Sequence, residues 1–295
     1  MTPRMTHRDT LLGRFLIGLI ALCVMCTLAR PAYAEEKYAS YVAHAQTGDV
    51  YHARYADELR YPASLTKVMT LLVLFDAIER GEVRLDERMQ VSQEADRQPA
   101  TDLGVRAGQS LTVEEGIYAL VTRSANDVAV VVAEHIALTE ERFALLMTLK
   151  ARKLGLQNTR FRNATGLPDA QQYTTARDMA KLAKHVLDAY SDYYHYFSTP
   201  SFEWNGRAHY NHNSLLNQVA GVDGMKTGFT NASGYNLMTS AIREGERIIV
   251  IVLGGPTSGS RNQHVRDLVE AAYTHLESQK TVSKASRFSQ IRARP

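Results

Sequence analysis

The sequence predicts an α+β fold: an antiparallel sheet built from both ends of the chain and flanked by helices, with an inserted all-helical region. Three observations lead there. Turn-punctuated β patterns occupy residues 39–54 and again 235–253, helical periodicity fills most of 62–196, and an amphipathic helix closes the chain over 263–276. Of the 295 residues, 45% are apolar and 22% charged. That composition excludes a disordered tract, a collagen and a polytopic membrane protein, and the length fits one large domain or two small ones.

The first 34 residues read as a removable secretory signal. Arg4, Arg8 and Arg14 stand against the single acid Asp9, fifteen uncharged and mostly apolar residues follow over 15–29, and Ala32-Tyr33-Ala34 supplies a small-residue end. Fifteen residues fall short of the roughly 20 a spanning helix needs, which disfavours an uncleaved anchor. Leu22 and Met25 precede the cysteines where lipid attachment expects a small residue. Removing the leader takes four arginines and one acid, leaving 30 basic and 30 acidic residues, so nothing argues for nucleic acid as a partner. Cys23 and Cys26 leave with it; their spacing imitates a redox pair but sits in the apolar leader. The remaining domain is exported, periplasmic or in the cell envelope, and is held by its core without disulfides.

Within the mature chain, 39–44 alternates weakly and Gln46-Thr47-Gly48-Asp49 offers turn chemistry before 50–54, predicting a hairpin. Pro62 opens a helix of about four turns, with Leu65, Val68, Met69, Leu72 and Phe75 on one face. Residues 83–109 are polar and predict loop plus a short strand. Thr112 and Glu115 form a capping box that starts a helix through Thr122. Helices follow over 126–137 and from 140 to about 154, then a long one over 175–196. The strands 235–242 and 247–253 form a hairpin through Arg243-Glu244-Gly245-Glu246. No internal repeat is evident. From Lys280 the last 16 residues hold five basic residues and no acid, and their apolar positions drift around a helix. They predict a disordered tail, with electrostatic contact to an anionic membrane as the minor alternative.

Three short motifs carry chemistry. In Ser64-Leu65-Thr66-Lys67 the hydroxyl and the amine lie one helical turn apart, and a desolvated lysine can take the proton of a serine nucleophile. The helix start aims backbone N–H groups at an incoming carbonyl. Alone the motif is weak, arising by accident in roughly every second chain of this size, where it is merely a solvated helix start. Ser124-Ala125-Asn126 falls between two helices, where Ser and Asn are also ordinary cap residues, and the chain repeats the pattern in Ser260-Arg261-Asn262. Lys226-Thr227-Gly228 precedes a strand and puts a cation and a hydroxyl on an edge where Gly228 permits close backbone approach; a plain turn reads the same way.

The three stand in the order S-x-x-K, S-x-N, K-T-G, separated by 60 and 102 residues. The mature chain resembles the serine D-alanyl-D-alanine carboxypeptidases among the low-molecular-mass penicillin-binding proteins, over nearly all of 35–278. The likeness extends around each motif, through Tyr61 to Thr70, Leu120 to Asp127 and Gly221 to Gly228, and to Asn163-Ala164-Thr165-Gly166-Leu167 and Thr174-Thr175-Ala176-Arg177-Asp178. The resemblance implies a penicillin-binding protein or β-lactamase-like fold, with Ser64 as nucleophile and Lys67 as its base. It implies that Ser124 relays a proton toward the leaving D-alanine, held by Asn126, which also contacts the substrate amide. Lys226 and Thr227 receive the terminal carboxylate, with Gly228 alongside and Arg261 a further contributor placed only by its position before the closing helix. The backbone N–H groups of Ser64 and Phe229 form the oxyanion hole. Many relatives have His or Tyr where this chain has Phe229, but the hole needs only the amide. The implied partners are peptidoglycan stem peptides, with β-lactams as covalent inhibitors; no cofactor is implied and a monomer is expected.

Rival readings are weaker. A class A β-lactamase needs a carboxylate for deacylation, usually in E-x-x-L-N, and none of Glu134, Glu140, Glu141 or Glu203 stands in that pattern. A non-catalytic wall-binding homologue has no physical reason to keep Ser64, Lys67, Ser124 and Lys226 together. A D,D-endopeptidase acting on cross-links uses the same residues, and only the groove distinguishes it. His209 and His212 have ligand-like spacing with His195 nearby, yet no acidic or cysteine partner completes a metal motif, so surface or packing roles are read. The cluster of Tyr190, Tyr193, Tyr194, Tyr196 and Phe197 reads as core packing.

Overall fold

The computed structural model describes residues 37–292. The expected leader at 1–34, with both cysteines, lies outside the described residues. The chain opens with β1 (Ala39–His44) and β2 (Val50–Arg54), then α1 (Thr66–Glu79). The helical region follows: β3 (Arg88–Gln90), α2 (Gln93–Asp96), β4 (Ser110–Thr112), α3 (Val113–Val121), α4 (Asn126–Ala137) and α5 (Glu140–Lys153). After α6 (Ala176–Ala189) and α7 (Ser191–Tyr194) comes a hairpin of β5 (Ser201–Trp204) and β6 (Arg207–Tyr210). The chain ends with β7 (Val222–Thr230), β8 (Gly234–Arg243), β9 (Glu246–Gly255) and α8 (Ser258–Arg292).

The main sheet runs β2-β1-β9-β8-β7, antiparallel throughout, so the two ends of the chain meet where β1 pairs with β9 and Tyr41 faces Ile251. Helices cover both of its faces. The period-2 alternation of β9 sends Ile249, Ile251 and Leu253 into the larger core with Met225, Met238 and α1. Ile248, Val250 and Val252 point the other way, into a second core with Val265, Val269 and Ala272 of α8. A strand apolar on both faces is what burial between two helical layers requires.

The same logic explains where α1 departs from the one-faced helix expected. Val68, Met69, Leu71, Leu72, Leu74 and Phe75 are all inaccessible, so the helix is enclosed on every side. Its Asp76 is accommodated by Lys150 Nζ at 2.7 Å. The 83–109 stretch forms β3, paired with β4, and the short α2 capped by Ser92, whose Oγ accepts from Ala95 N–H. The capping box of Thr112 and Glu115 forms as expected at the start of α3.

Two further helices differ from expectation. The long helix over 175–196 is broken at Tyr190, which leaves helical geometry at φ −130°, ψ 38°. Its ring packs near Phe75 and its hydroxyl donates to Asp76, while Tyr193 stacks on Phe75 at 4.7 Å, so tertiary packing overrides the local period. The aromatic cluster is thus core, as read. The closing helix begins earlier and runs longer than 263–276. Thr257 and Ser260 cap its start reciprocally through N–H to Oγ bonds of 3.0 and 3.2 Å. No proline interrupts it before Arg292, so helix continues through the segment from Lys280 expected as a disordered tail. Among the described residues no helix is long and apolar enough to cross a membrane.

Candidate active site

Ser64 lies on a single 3-10 turn, Ala63–Leu65, at the mouth of α1. Ala63 holds a left-handed backbone at φ 47°, and Ser124 another at φ 60°, so one strained position precedes Ser64 and the other is Ser124 itself. Lys67 follows one turn after Ser64 and is fully enclosed. Its Nζ donates to Asn126 Oδ1 at 2.7 Å and to the Thr165 carbonyl at 2.6 Å, and stands 3.4 Å from Ser64 Oγ. Burial, reinforced by the nearby charge of Lys226, holds the amine's pKa well below the usual lysine range. A neutral amine has two N–H groups, and the two short bonds use both. Its lone pair is left for the Ser64 hydroxyl.

Ser124 occupies the turn between α3 and α4, nearly buried, and its Oγ has no hydrogen-bond partner among the described residues. Asn126 opens α4. Its amide oxygen serves Lys67 and its NH₂ donates to the Pro99 carbonyl at 2.8 Å, so its side chain positions the Lys67 amine and the 99–105 loop rather than Ser124. Asp127 fixes that same loop, accepting from the N–H groups of Leu103, Gly104 and Val105 as well as Val128. Thr101 completes the wall by donating to the Ser124 carbonyl at 3.0 Å.

Lys226-Thr227-Gly228, expected just ahead of a strand, lies inside β7 instead. Among the described residues β7 is an edge strand of the main sheet, so no other described strand claims its outer backbone groups. A Cβ on Gly228 would stand 2.9 Å from Ser64 N and 3.2 Å from Ala63 Cβ, which is why the residue must be glycine for the strand and the Ser64 turn to meet. Asn236 of β8 locks the approach: its NH₂ donates to the carbonyls of Tyr61 and Pro62, and its Oδ1 accepts from Gly254 N–H.

Lys226 and Arg261 form the cationic side. Lys226 is buried, with Nζ 3.1 Å from the Thr227 carbonyl; burial first, then Arg261, lower its pKa to about 7. Arg261, from the first turn of α8, is also buried and is lowered to about 10 by desolvation. It donates to Asn262 Oδ1 at 2.7 Å and to the Asn236 carbonyl. Among the described residues neither cation is paired with a carboxylate, which suits them to an anion brought by a ligand.

These groups face one cavity of about 340 Å³. Ser64, Ser124, Asn126 and Arg261 line it together with Thr227, Gly228 and Phe229, while Lys67 and Lys226 stand behind its surface. Residues separated by almost 200 positions are thereby gathered around one hydroxyl. Sequence reasoning gave no role to the Thr165 carbonyl, since a backbone acceptor has no residue code, although 163–167 carried part of the resemblance. It also read His212 as surface or packing, whereas His212 lines the cavity, its pKa lowered to about 4 by burial and then by Lys226, Arg123 and Lys67.

Known proteins are similar to this chain in sequence and in fold. A family profile described as D-alanyl-D-alanine carboxypeptidase matches residues 29–257. The chain is 33% identical over 287 residues to the D-alanyl-D-alanine carboxypeptidase DacF of Bacillus subtilis strain 168, covering 90% of this chain and 72% of that protein. It is 34% identical over 234 residues to the D-alanyl-D-alanine carboxypeptidase DacD of Salmonella typhimurium, covering 76% of this chain but only 59% of that longer protein. Penicillin-Binding Protein D2 from Listeria monocytogenes, solved in an ampicillin-bound form, superposes with a TM-score of 0.74 at 28% identity, over 82% of this chain and 99% of that one. By its α+β fold, its S-x-x-K, S-x-N and K-T-G geometry and these matches, the chain belongs to the D-alanyl-D-alanine carboxypeptidase family.

Proposed function

We propose that this chain is an exported serine carboxypeptidase that removes the terminal D-alanine from peptidoglycan stem peptides through an acyl-enzyme on Ser64. The observation that carries the reading is the placement of Lys67 Nζ, desolvated, with two fixed acceptors and its remaining valence toward Ser64 Oγ at 3.4 Å. Export is supported by the sequence of residues 1–34.

The Ser64 hydroxyl gives its proton to the neutral Lys67 amine as its oxygen attacks the carbonyl carbon of the penultimate D-alanine. The N–H groups of Ser64 and Phe229 receive the oxygen on which negative charge develops. Lys226, Thr227 and Arg261 bind the terminal carboxylate. The tetrahedral intermediate collapses when the C–N bond breaks, and the leaving amine takes a proton through the Ser124 hydroxyl, ultimately the one held by Lys67. Water then attacks the ester, giving its proton to Lys67 and releasing the shortened peptide as Ser64 regains its hydrogen. A β-lactam presents an amide and a carboxylate at a similar separation, so the same groups open its ring and leave it esterified to Ser64.

Labelling with a fluorescent penicillin tests the reading. The wild-type protein should carry one covalent label, and Ser64→Ala should carry none. A folded wild-type protein that takes no label contradicts the acyl-enzyme, and one that turns penicillin over rapidly favours a β-lactamase.

A further inference from the structure

Exposed leucines gather on one helix, α5. Its inner face buries Phe143, Ala144, Met147 and Ala151 against α1 and α4, as an amphipathic helix should. At about 100° per residue, the opposite face carries Leu145, Leu149 and Leu146 with Arg142 and Lys153 among them. Leu145 and Leu149, one turn apart, are 62% and 59% exposed. Single exposed leucines are ordinary, but a cluster on an outward face does nothing for the core. Arg142 and Lys153 are exposed as well, and among the described residues neither is paired with a carboxylate, whereas Lys150 on the flank is taken by Asp76. Glu141 stands at the edge of this face and no acid stands within it.

A second observation lies directly ahead of α5. Leu138 ends α4 in a left-handed conformation at φ 69°, where a helix normally has glycine or asparagine, and its side chain is 75% exposed. A leucine held in strained backbone and turned to water is accounted for by something that covers it, not by the fold.

Size and charge select what covers it. The 14-residue helix presents a face about 21 Å long and about 10 Å wide, far short of the roughly 800 Å² that each partner of a stable protein pair buries. A second copy on a two-fold axis would also set the same cationic face against itself. A lipid surface needs no matching shape, and an anionic one takes leucines and cations together.

We propose that the outer face of α5, with Leu138, docks the protein flat on an anionic lipid bilayer. The leucines enter the boundary between headgroups and acyl chains, and Arg142 and Lys153 meet lipid phosphates. The docking helix is joined to the catalytic machinery. Glu140, its first residue, accepts from Ala164 N–H at 2.9 Å, next to the Thr165 carbonyl that holds Lys67. Docking therefore keeps the cavity close to the bilayer while the inner face of α5 retains its contacts.

The test is cosedimentation of the purified chain from Glu35 to Pro295 with vesicles of phosphatidylglycerol and phosphatidylcholine in equal parts. The wild-type chain should bind these, and bind pure phosphatidylcholine about tenfold more weakly. Leu145→Ser with Leu149→Ser should reduce binding about tenfold or more. Arg142→Gln with Lys153→Gln should shrink the difference between the two vesicle types. All four positions lie on the outer face, so circular dichroism should remain that of the wild type. A wild-type chain that stays in the supernatant with both vesicle types overturns the proposal. Binding unchanged by the leucine pair does so too, since it would belong to the basic segment from Lys280, as does an anionic preference unchanged by the Arg142 and Lys153 pair. A wild-type dimer that the leucine pair converts to monomer in analytical ultracentrifugation also overturns it, by making a second copy the occupant.

Discussion

The carbonyl oxygen of Thr165 lies 2.6 Å from Lys67 Nζ, although 98 residues separate them in the chain. Together with Asn126 Oδ1 this acceptor determines where the amine's hydrogens point, and so where its lone pair points. The Lys67 amine is oriented by a loop and a helix start that neither S-x-x-K nor K-T-G contains.

Removing the amine should cost what a general base supplies. Lys67→Ala is expected to slow penicillin acylation by a factor of about 10²–10⁴ while Ser64→Ala abolishes it. Lys67→Arg should be no better than alanine, because a guanidinium does not deprotonate near neutral pH. Stopped-flow acylation kinetics decide the matter; arginine restoring more than a small part of the rate contradicts the base role.

In the proposed mechanism the two buried lysines act in opposite protonation states, which gives the pH profile its sign. Lys226 works as a cation, and with its pKa lowered to about 7 it is charged below that pH and loses its charge above it. KM for a peptide with a free carboxylate should therefore rise as pH increases through about 7, with Arg261 sustaining residual binding. Lys67 works as a neutral amine, so acylation should fall on the acid side. Lys226→Gln should flatten the KM rise. A KM that stays constant or falls through neutrality in the wild-type protein contradicts the assignment of Lys226.

Gly228→Ala should strike the oxyanion hole. Its new Cβ lies 2.9 Å from Ser64 N, a backbone atom that can yield only by moving the 3-10 turn. Displacing that donor is expected to reduce acylation by a factor of about 10²–10³. Circular dichroism should remain that of the wild type. Undiminished acylation means that the strand and the nucleophile do not meet as described.

Asp127 is expected to be structural, through the loop that walls Ser124. Asp127→Ala leaves buried N–H groups at Leu103, Val105 and Val128 without an acceptor and should destabilise the protein by about 3 kcal/mol or more. Urea denaturation measures it. A loss below about 1 kcal/mol shows that the loop finds other partners.

Local patterns made β1, β2, β8 and β9, the capping box at Thr112 and the Ser64–Lys67 pair legible, because each depends on residues near one another in sequence, whereas β7 and the β5–β6 hairpin escaped. What escaped depended on tertiary context. The period of 175–196 is helical, but Phe75 and Asp76, over a hundred residues away, draw Tyr190 out of the helix. Asn126 was legible as a site residue, yet its partners, Lys67 and the Pro99 carbonyl, are set by how a loop returns to α4. A cavity of about 180 Å³ beside the catalytic one, lined by Tyr61, Leu167 and Ala232, is a property of surfaces from three separated segments, and no motif encodes it.

The most direct measurement is mass spectrometry of a stem pentapeptide ending in D-alanyl-D-alanine after incubation with the purified protein. Loss of one D-alanine to leave the tetrapeptide, with no loss by Ser64→Ala, is the expected result. An intact pentapeptide from folded protein, or equal cleavage by Ser64→Ala, contradicts the central claim that Ser64 and Lys67 form a hydrolytic pair.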